Sequence, residues 1–240
     1  MSQRLVARCV IAAAVICGVG GIVLIVAFPA GLPLFRIHWP LAAVLSWDAA
    51  LSMMFFVQHS GMVRRRFRAR LAAVIPPRYD GAVYAIASGI ALALVVLLWQ
   101  PSDYPLIVLE GLSRRAAQVC AVLAIVFFVW GMRALRGFDP LGLGPIKAYL
   151  RGKQPPQSPF VVRGPYRWVR HPLYFAILVL IWSNPDLTAD RLLFNILWSA
   201  WICVGARLEE ADLVTDFGDT YQEYRRKVPI LVPWRGPVKL

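Results

Sequence analysis

Residues 163–174 read Arg163-Gly164-Pro165-Tyr166-Arg167-Trp168-Val169-Arg170-His171-Pro172-Leu173-Tyr174. Guanidinium groups, phenols, an indole and an imidazole crowd together there. The His171 imidazole can donate or accept a hydrogen bond to a polar ligand, and Arg170 can grip a carboxylate with its fork of N–H groups. The same composition also suits an anchor belt at a membrane boundary, where Trp, Tyr and Arg collect. A second cluster, Arg207-Leu208-Glu209-Glu210-Ala211-Asp212, follows an apolar run directly. Acids at the mouth of a helix bundle are costly unless they are paired or face a polar cavity. The cluster suits either a solvated helix end, with Arg207 paired to Glu210, or a carboxylate that binds a cationic or hydroxyl-bearing ligand.

The elements that must position these groups are apolar helices. A helix needs about 20 mostly apolar residues to cross a bilayer. Leu5–Phe28, Trp39–Val57, Ala82–Trp99 and Ala116–Leu135 meet that length. Leu173–Trp182 is apolar but short, and Leu192–Ala206 is a sixth segment closed by Arg207. The last two form a helical hairpin turned at Asn184-Pro185-Asp186, a strong turn signal. Pro172 suits the first turn of its helix, where no N–H is needed. Both polar clusters end on the same side of this hairpin, which brings His171 within reach of the Glu pair. Beyond Glu209, the residues Leu213, Phe217, Tyr221, Tyr224 and Val228 recur at helical spacing and form one face of an amphipathic helix that Pro229 stops. The stretch 137–160 is rich in Gly and Pro and is expected to be a loop. Its glycines match no phosphate-binding or dinucleotide-binding spacing. The expected architecture is an all-α, polytopic membrane bundle of about six segments. Residues 1–135 form a four-helix transmembrane region and 136–240 the region that carries the site.

Composition agrees. Of 240 residues, 59% are hydrophobic and only 16% charged, which excludes disorder, coiled coils and fibres. The formal charge of +13 is compatible with nucleic-acid binding or with a one-sided membrane protein. Position decides between them. With both termini inside, only Arg36, Arg114, Arg115 and Arg191 of the 26 cations fall outside. That asymmetry is the positive-inside pattern of a multi-pass protein, expected in a bacterial inner membrane with cytoplasmic termini. No nucleic-acid partner is expected, and the Arg run 64–70 reads as headgroup contact with membrane lipids. The first span reads as retained, because it exceeds a signal peptide's apolar core and no A-x-A site follows it. Cys9, Cys17, Cys120 and Cys203 read as small core residues, and no metal-ligand spacing occurs. Asp48 is expected to pair near Ser46 or Ser52, His59 to be interfacial, and His38 to have no role.

The stretches RGPYRWVRHPLYFA and EEADLVTDFGDTYQEYRRKVPILVP, between residues 163 and 233, resemble the C-terminal signature of the isoprenylcysteine carboxyl methyltransferase and phospholipid methyltransferase superfamily. A Gly common after its R-H-P-x-Y element is replaced here by Phe175-Ala176, which leaves close packing at that turn open. QHSGMVRRRF (58–67), LLWQP (97–101) and FDPLGLGPIKAYLRGK (138–153) look like the NnrU-like and methanethiol S-methyltransferase-like proteins of bacteria. The resemblance implies a membrane-embedded methyltransferase that uses S-adenosylmethionine, held by the C-terminal hairpin. By carry-over, Tyr166, His171, Pro172, Tyr174, Glu209, Tyr221 and Tyr224 bind the cofactor, and Arg170 and Glu210 are the catalytic pair. The implied reaction is in-line transfer of a methyl group from a sulfonium. The acceptor is small and hydrophobic or lipid-like, foremost a thiol or another sulfur compound. The other readings are an S-prenylcysteine carboxyl methyltransferase, or a non-catalytic NnrU-like transporter or partner in nitrogen-oxide metabolism.

Overall fold

The computed structural model describes residues 2–28, 34–135, 139–154 and 160–238. Helices α1 (Gln3–Ala27), α2 (Leu41–Val63), α4 (Asp80–Leu98), α5 (Gly111–Ala134) and α8 (Ala189–Lys227) are each long and apolar enough to cross a membrane. Two short helices lie between them, α3 (Arg65–Ala72) and α6 (Gly144–Leu150). Helix α7 (Pro172–Trp182) has 11 residues, so it rises only about 16 Å, half of a hydrocarbon core of about 30 Å. The protein is an all-α, multi-pass membrane bundle. Along α5, Val119, Val122, Leu123, Val126 and Trp130 are exposed. In a bilayer such a face meets acyl chains.

One feature escaped the sequence pattern. The turn at Asn184–Asp186 leads into β2 (Asp186–Thr188), which pairs antiparallel with β1 (Pro105–Val108). Strands of three and four residues are too short to show a period of two. Arg114 straps the ribbon by a bidentate pair, with Nη1 and Nη2 each 2.8 Å from an Asp186 carboxylate oxygen.

Packing divides the chain into two compact units, Met1–Ser102 with Asp139–Gln157, and Asp103–Phe138 with Ser158–Leu240. The line drawn at residue 135 is therefore crossed in both directions. Helix α5 packs with the C-terminal helices, and the segment after it packs with the N-terminal ones.

In the first unit, α1 and α4 meet backbone to backbone. A Cβ placed on Gly89 would lie 2.1 Å from the Cys17 carbonyl oxygen, and one on Gly21 would lie 2.8 Å from the Gly89 carbonyl oxygen. Small residues allow this approach, and helix association in membranes rests on such close packing. Contrary to the expected continuous loop over 137–160, this stretch contains α6. The Asp139 carboxylate accepts from the Gly144 N–H, and Pro145 occupies the first turn. Ile146 is fully buried with Ala7, Ala14, Tyr79, Ala82 and Leu143. Gly142 has φ +62° and lies so close to Gly81 that a Cβ would overlap it.

Asp48 is fully buried, with a long-range partner besides its serine neighbour. Its Oδ1 accepts from the Gln100 N–H at 2.9 Å, while Ser52 Oγ donates to the Asp48 backbone oxygen. The Gln100 side chain in turn accepts from Ile37 N–H at 2.9 Å and donates to the carbonyls of Phe35 and Leu98. His59 packs inward. A ring nitrogen lies 2.6 Å from Tyr84 Oη, and the ring rests 5.0 Å from that of Phe55. Cys9 and Cys120 lie on outer helix surfaces rather than in a core.

Overpacking a glycine contact forces the helices apart. Gly89→Leu is expected to destabilise the first unit by about 1–3 kcal/mol. The check is thermal unfolding of the purified protein in detergent, and an unchanged transition would contradict the backbone contact.

Candidate active site

The site is assembled from three stretches of the second unit. The first enters through a short 3-10 turn at Gly164–Arg167. Gly164 has φ +53°, and a Cβ there would stand 3.1 Å from both Ala134 Cβ and Trp130 Nε1 of α5. Glycine is thus required twice over, by backbone conformation and by space. Pro165 and Pro172 are fully buried at the two ends of the stretch. Between them, the N–H groups of Arg170 and His171 donate to the carbonyls of Pro229 and Ile230, at 2.8 and 3.1 Å. The chain beyond α8 therefore returns alongside residues 170–171.

The second stretch is the Glu pair on α8. That helix has 39 residues and would measure about 58 Å if straight, nearly twice the hydrocarbon core. Only its apolar part, Leu192–Ala206, matches the membrane, so Glu209 and the residues after it lie beyond the span. The third stretch follows a break in the same helix. Gly218 has φ +56° and ψ −133°, a conformation essentially closed to other residues. The break has a geometric purpose. Tyr221 Oη reaches Glu210 Oε1 at 3.5 Å across eleven residues, whereas a straight helix would separate those positions by about 16 Å along its axis. Leu213, Phe217, Tyr221, Tyr224 and Val228 still gather into one apolar cluster, joined by Phe160, Val162 and Val238.

At the centre, Arg170 Nε donates to Glu210 Oε1, and Arg170 Nη1 donates to the carbonyls of Arg225 and Val228. Arg170 and Glu210 are each less than 10% exposed at the side chain. Arg207, the partner expected for Glu210, is exposed. Arg170 takes its place because Glu210 points into the protein. His171 is 6% exposed. Its Nε2 lies 3.5 Å from Glu210 Oε1 and its Nδ1 3.7 Å from Glu209 Oε2. Its ring stacks on Tyr174, whose hydroxyl donates to Glu209 Oε2 at 2.7 Å. His171 Nε2 is buried and makes no hydrogen bond among the described residues.

The two neighbouring acids therefore live in different surroundings. Burial opposes the charge on Glu210, but the His171 imidazole and the Arg170 guanidinium against it prevail, and its carboxyl is held down at about 2. The side chain of Glu209 is 47% exposed and carries the open carboxylate. Burial pushes the phenols of Tyr166, Tyr221 and Tyr224 above their usual range, and the charges of Glu209 and Glu210 add to this for Tyr166 and Tyr221 respectively. All three stay protonated at physiological pH and can act as donors. Tyr224 uses its hydroxyl on the Tyr166 carbonyl at 2.7 Å. A cleft of about 370 Å³ opens beside it, lined by residues 160–163 with Thr220, Glu223 and Tyr224.

The structure thus brings every residue expected from the sequence into one neighbourhood. It adds three that were not singled out. Arg225 lies 3.8 Å from Glu210 Oε2, Phe160 packs against Phe217, Tyr221 and Tyr224, and Gly218 makes the break. The F-G-x-x-Y spacing was the available signal for Gly218. The glycine missing after Tyr174 is compensated on the facing helix. Leu173 packs onto Gly131 of α5, and Ala176 is 2% exposed.

A model of the NnrU protein family matches residues 49–210. The chain belongs to that family. The match runs from α2 to Glu210 and so includes the Arg170–His171 stretch and the Glu pair. Methanethiol S-methyltransferase of a Pseudomonas species is 36% identical over 208 residues, covering 85% of this chain and 78% of the relative. Methanethiol S-methyltransferase of Mycobacterium tuberculosis is 32% identical over 200 residues, with 81% and 80% covered. Nurim of Rattus norvegicus is 28% identical over 185 residues, with 71% and 68% covered. No solved structure matches. The similarity to methyltransferases over most of both chains makes this NnrU-family protein a methyltransferase.

A side chain at position 218 strains the break. Gly218→Ala is expected to cost about 1–3 kcal/mol and to detach Tyr221 from Glu210. Thermal unfolding and tyrosine fluorescence of the purified variant check this, and wild-type behaviour in both would show that the break tolerates a Cβ.

Proposed function

We propose that this protein methylates a small thiol, with S-adenosylmethionine as donor, at a site facing the cytoplasm in a bacterial inner membrane. The observation that carries the reading is the buried Arg170–Glu210 pair with the His171 imidazole against it, beside the open Glu209–Tyr174 pair. A few convergent polar groups at the edge of a largely apolar wall are what a polar ligand needs to be oriented.

The donor set fits the proposed co-substrate. Its hydroxyl and ammonium groups call for an accessible carboxylate, and Glu209 is one. Its cationic and aromatic portions call for aromatic rings, which Tyr166 and Tyr174 supply. When bound, it provides an electrophilic methyl carbon on a sulfonium. His171 offers a hydrogen bond, Pro172 fixes the start of α7 beneath it, and Tyr221 and Tyr224 wall the site from water. Arg170 and Glu210, expected from the resemblance to be catalytic, become positioning residues in this proposal. Arg170 Nε donates to Glu210 and Nη1 to two backbone carbonyls, and Glu210 steadies His171. Such a site contributes alignment and dryness. A free thiol, with a reference pKa of about 8.5, is already partly ionised near neutral pH. The names of the bacterial relatives support a thiol acceptor. The positive-inside asymmetry supports the cytoplasmic placement, from which a soluble, charged donor can enter.

The test is methyl transfer by purified protein in nanodiscs, with labelled S-adenosylmethionine offered alongside methanethiol, an S-prenylcysteine or phosphatidylethanolamine. Label is expected in the methanethiol product. Label in the lipid amine or the prenylcysteine instead would overturn the acceptor class, and label in none would overturn the reading. Glu209→Gln is expected to raise the KM for the donor. His171→Ala and Glu210→Gln are expected to lower kcat by about 10²-fold, the scale of a small misplacement of reacting groups. Wild-type kinetics in all three would remove the site assignment.

A further inference from the structure

The first unit carries a cationic cleft that methyl transfer does not use. It measures about 410 Å³ and is lined by Pro77, Arg78, Pro145, Tyr149 and Lys153. The Arg78 guanidinium lies over two rings, 4.1 Å from the centre of Tyr149 and 5.0 Å from that of Tyr79. Tyr149 is itself fixed, because its hydroxyl donates to Gln3 Oε1 at 2.7 Å. Aromatic contact holds the guanidinium plane without consuming its N–H groups. Arg78 Nε is buried and makes no hydrogen bond among the described residues.

No described carboxylate pairs with Arg78 or Lys153. Two acids close to them in the chain have contacts elsewhere. Asp80 faces Arg68 at 4.0 Å, and Asp139 accepts from the Gly144 N–H. The surroundings add further positive charge. Arg65, Arg66, Arg68 and Arg70 of α3 are exposed, as are Lys147 of α6 and Arg151 just after it. Two prolines and Tyr149 form rigid, apolar walls. A held guanidinium with an unsatisfied N–H, opposite a flexible ammonium, is complementary to a tetrahedral oxyanion. The cleft also lies at the membrane boundary, since Arg78 stands in the first turn of the apolar span Pro77–Leu98.

We infer that this cleft binds a phosphate group between Arg78 and Lys153. The group belongs either to an anionic lipid headgroup or to free phosphate. Arg78 provides the oriented fork and Lys153 the point charge. The Arg run of α3 raises the local anion concentration but does not form the site.

The experiment titrates the full-length protein in a maltoside detergent, which carries no phosphate. One arm uses short-chain phosphatidylglycerol and the other inorganic phosphate, both read by calorimetry. Single-site binding is expected in at least one arm. Binding of the lipid alone assigns the headgroup, and equal binding of inorganic phosphate assigns the free anion. Lys153→Gln removes an exposed charge without touching packing, and it is expected to weaken binding roughly fivefold, as one cation near an anionic surface does. Arg78→Lys keeps the charge and loses the fork, and it is expected to weaken binding as well. Arg66→Gln, on the exposed face of α3, is expected to leave binding unchanged. Absence of binding in both arms overturns the inference. So does an Arg66→Gln effect equal to that of Lys153→Gln, because the attraction would then be general to the surface.

Discussion

The second unit is organised around one buried ion pair. Taking Arg170 and Glu210 out of water is costly, and such a pair is tolerated only when its geometry is good and its remaining groups are satisfied. The surrounding structure meets that demand. The carbonyls of Arg225 and Val228 accept from Arg170, Tyr221 and Arg225 approach Glu210, and His171 lies against it. These partners come from two stretches, His171 from the turn before α7 and Tyr221, Arg225 and Val228 from the segment after Gly218. The ion pair therefore couples the turn before α7, the Glu pair on α8 and the segment after Gly218. Breaking such a pair by removing one member typically costs about 3–5 kcal/mol, because the other charge is left stranded.

From this constraint follow several otherwise unrelated features. The helix must break at Gly218, or Tyr221 could not return to Glu210. The chain must come back beside residues 170–171, which the hydrogen bonds to Pro229 and Ile230 achieve. Gly164 must be glycine, so that the turn carrying Tyr166 can rest on α5. Glu209, one residue away from Glu210, escapes the constraint. Neighbouring positions on a helix face about 100° apart, so one carboxylate is buried and the other is open. That difference gives the two acids separate tasks.

The first unit solves a different problem. Its helices are apolar on all sides, so hydrophobicity alone cannot say which faces meet. Close approach at Gly21 and Gly89 and buried polar bonds supply the selection. Asp48 and Gln100 join α2 to the chain just after α4, and Gln100 also orders the strand of chain at Phe35 and Ile37. In a membrane interior an unsatisfied polar group is expensive, so such a network specifies one arrangement among many apolar ones.

Much of this was legible in the sequence. Four of the five long spans followed from runs of apolar residues, because bilayer thickness sets a required length, and the fifth, α8, showed only its shorter apolar run Leu192–Ala206. The short α7, the start of its helix at Pro172 and the end of α8 before Pro229 followed from proline's missing N–H. The site residues could be named because a resemblance joined two distant motifs, while their types alone left an anchor belt equally open. Partners were less legible. Glu210 looked ready to pair with Arg207 in the adjacent turn, but it binds Arg170, far along the chain. Asp48 was expected to pair near Ser46 or Ser52, and the distant Gln100 N–H that it also binds left no local signal. Helix α6 and the β1–β2 ribbon were hidden because elements so short carry no period. The sequence by itself determined which segments cross the membrane and which residue types the site contains, since both depend on local composition and spacing. Only the tertiary structure decided which of two adjacent acids is buried, which arginine neutralises it and where the helix breaks. Those outcomes depend on which distant groups share the same desolvated space.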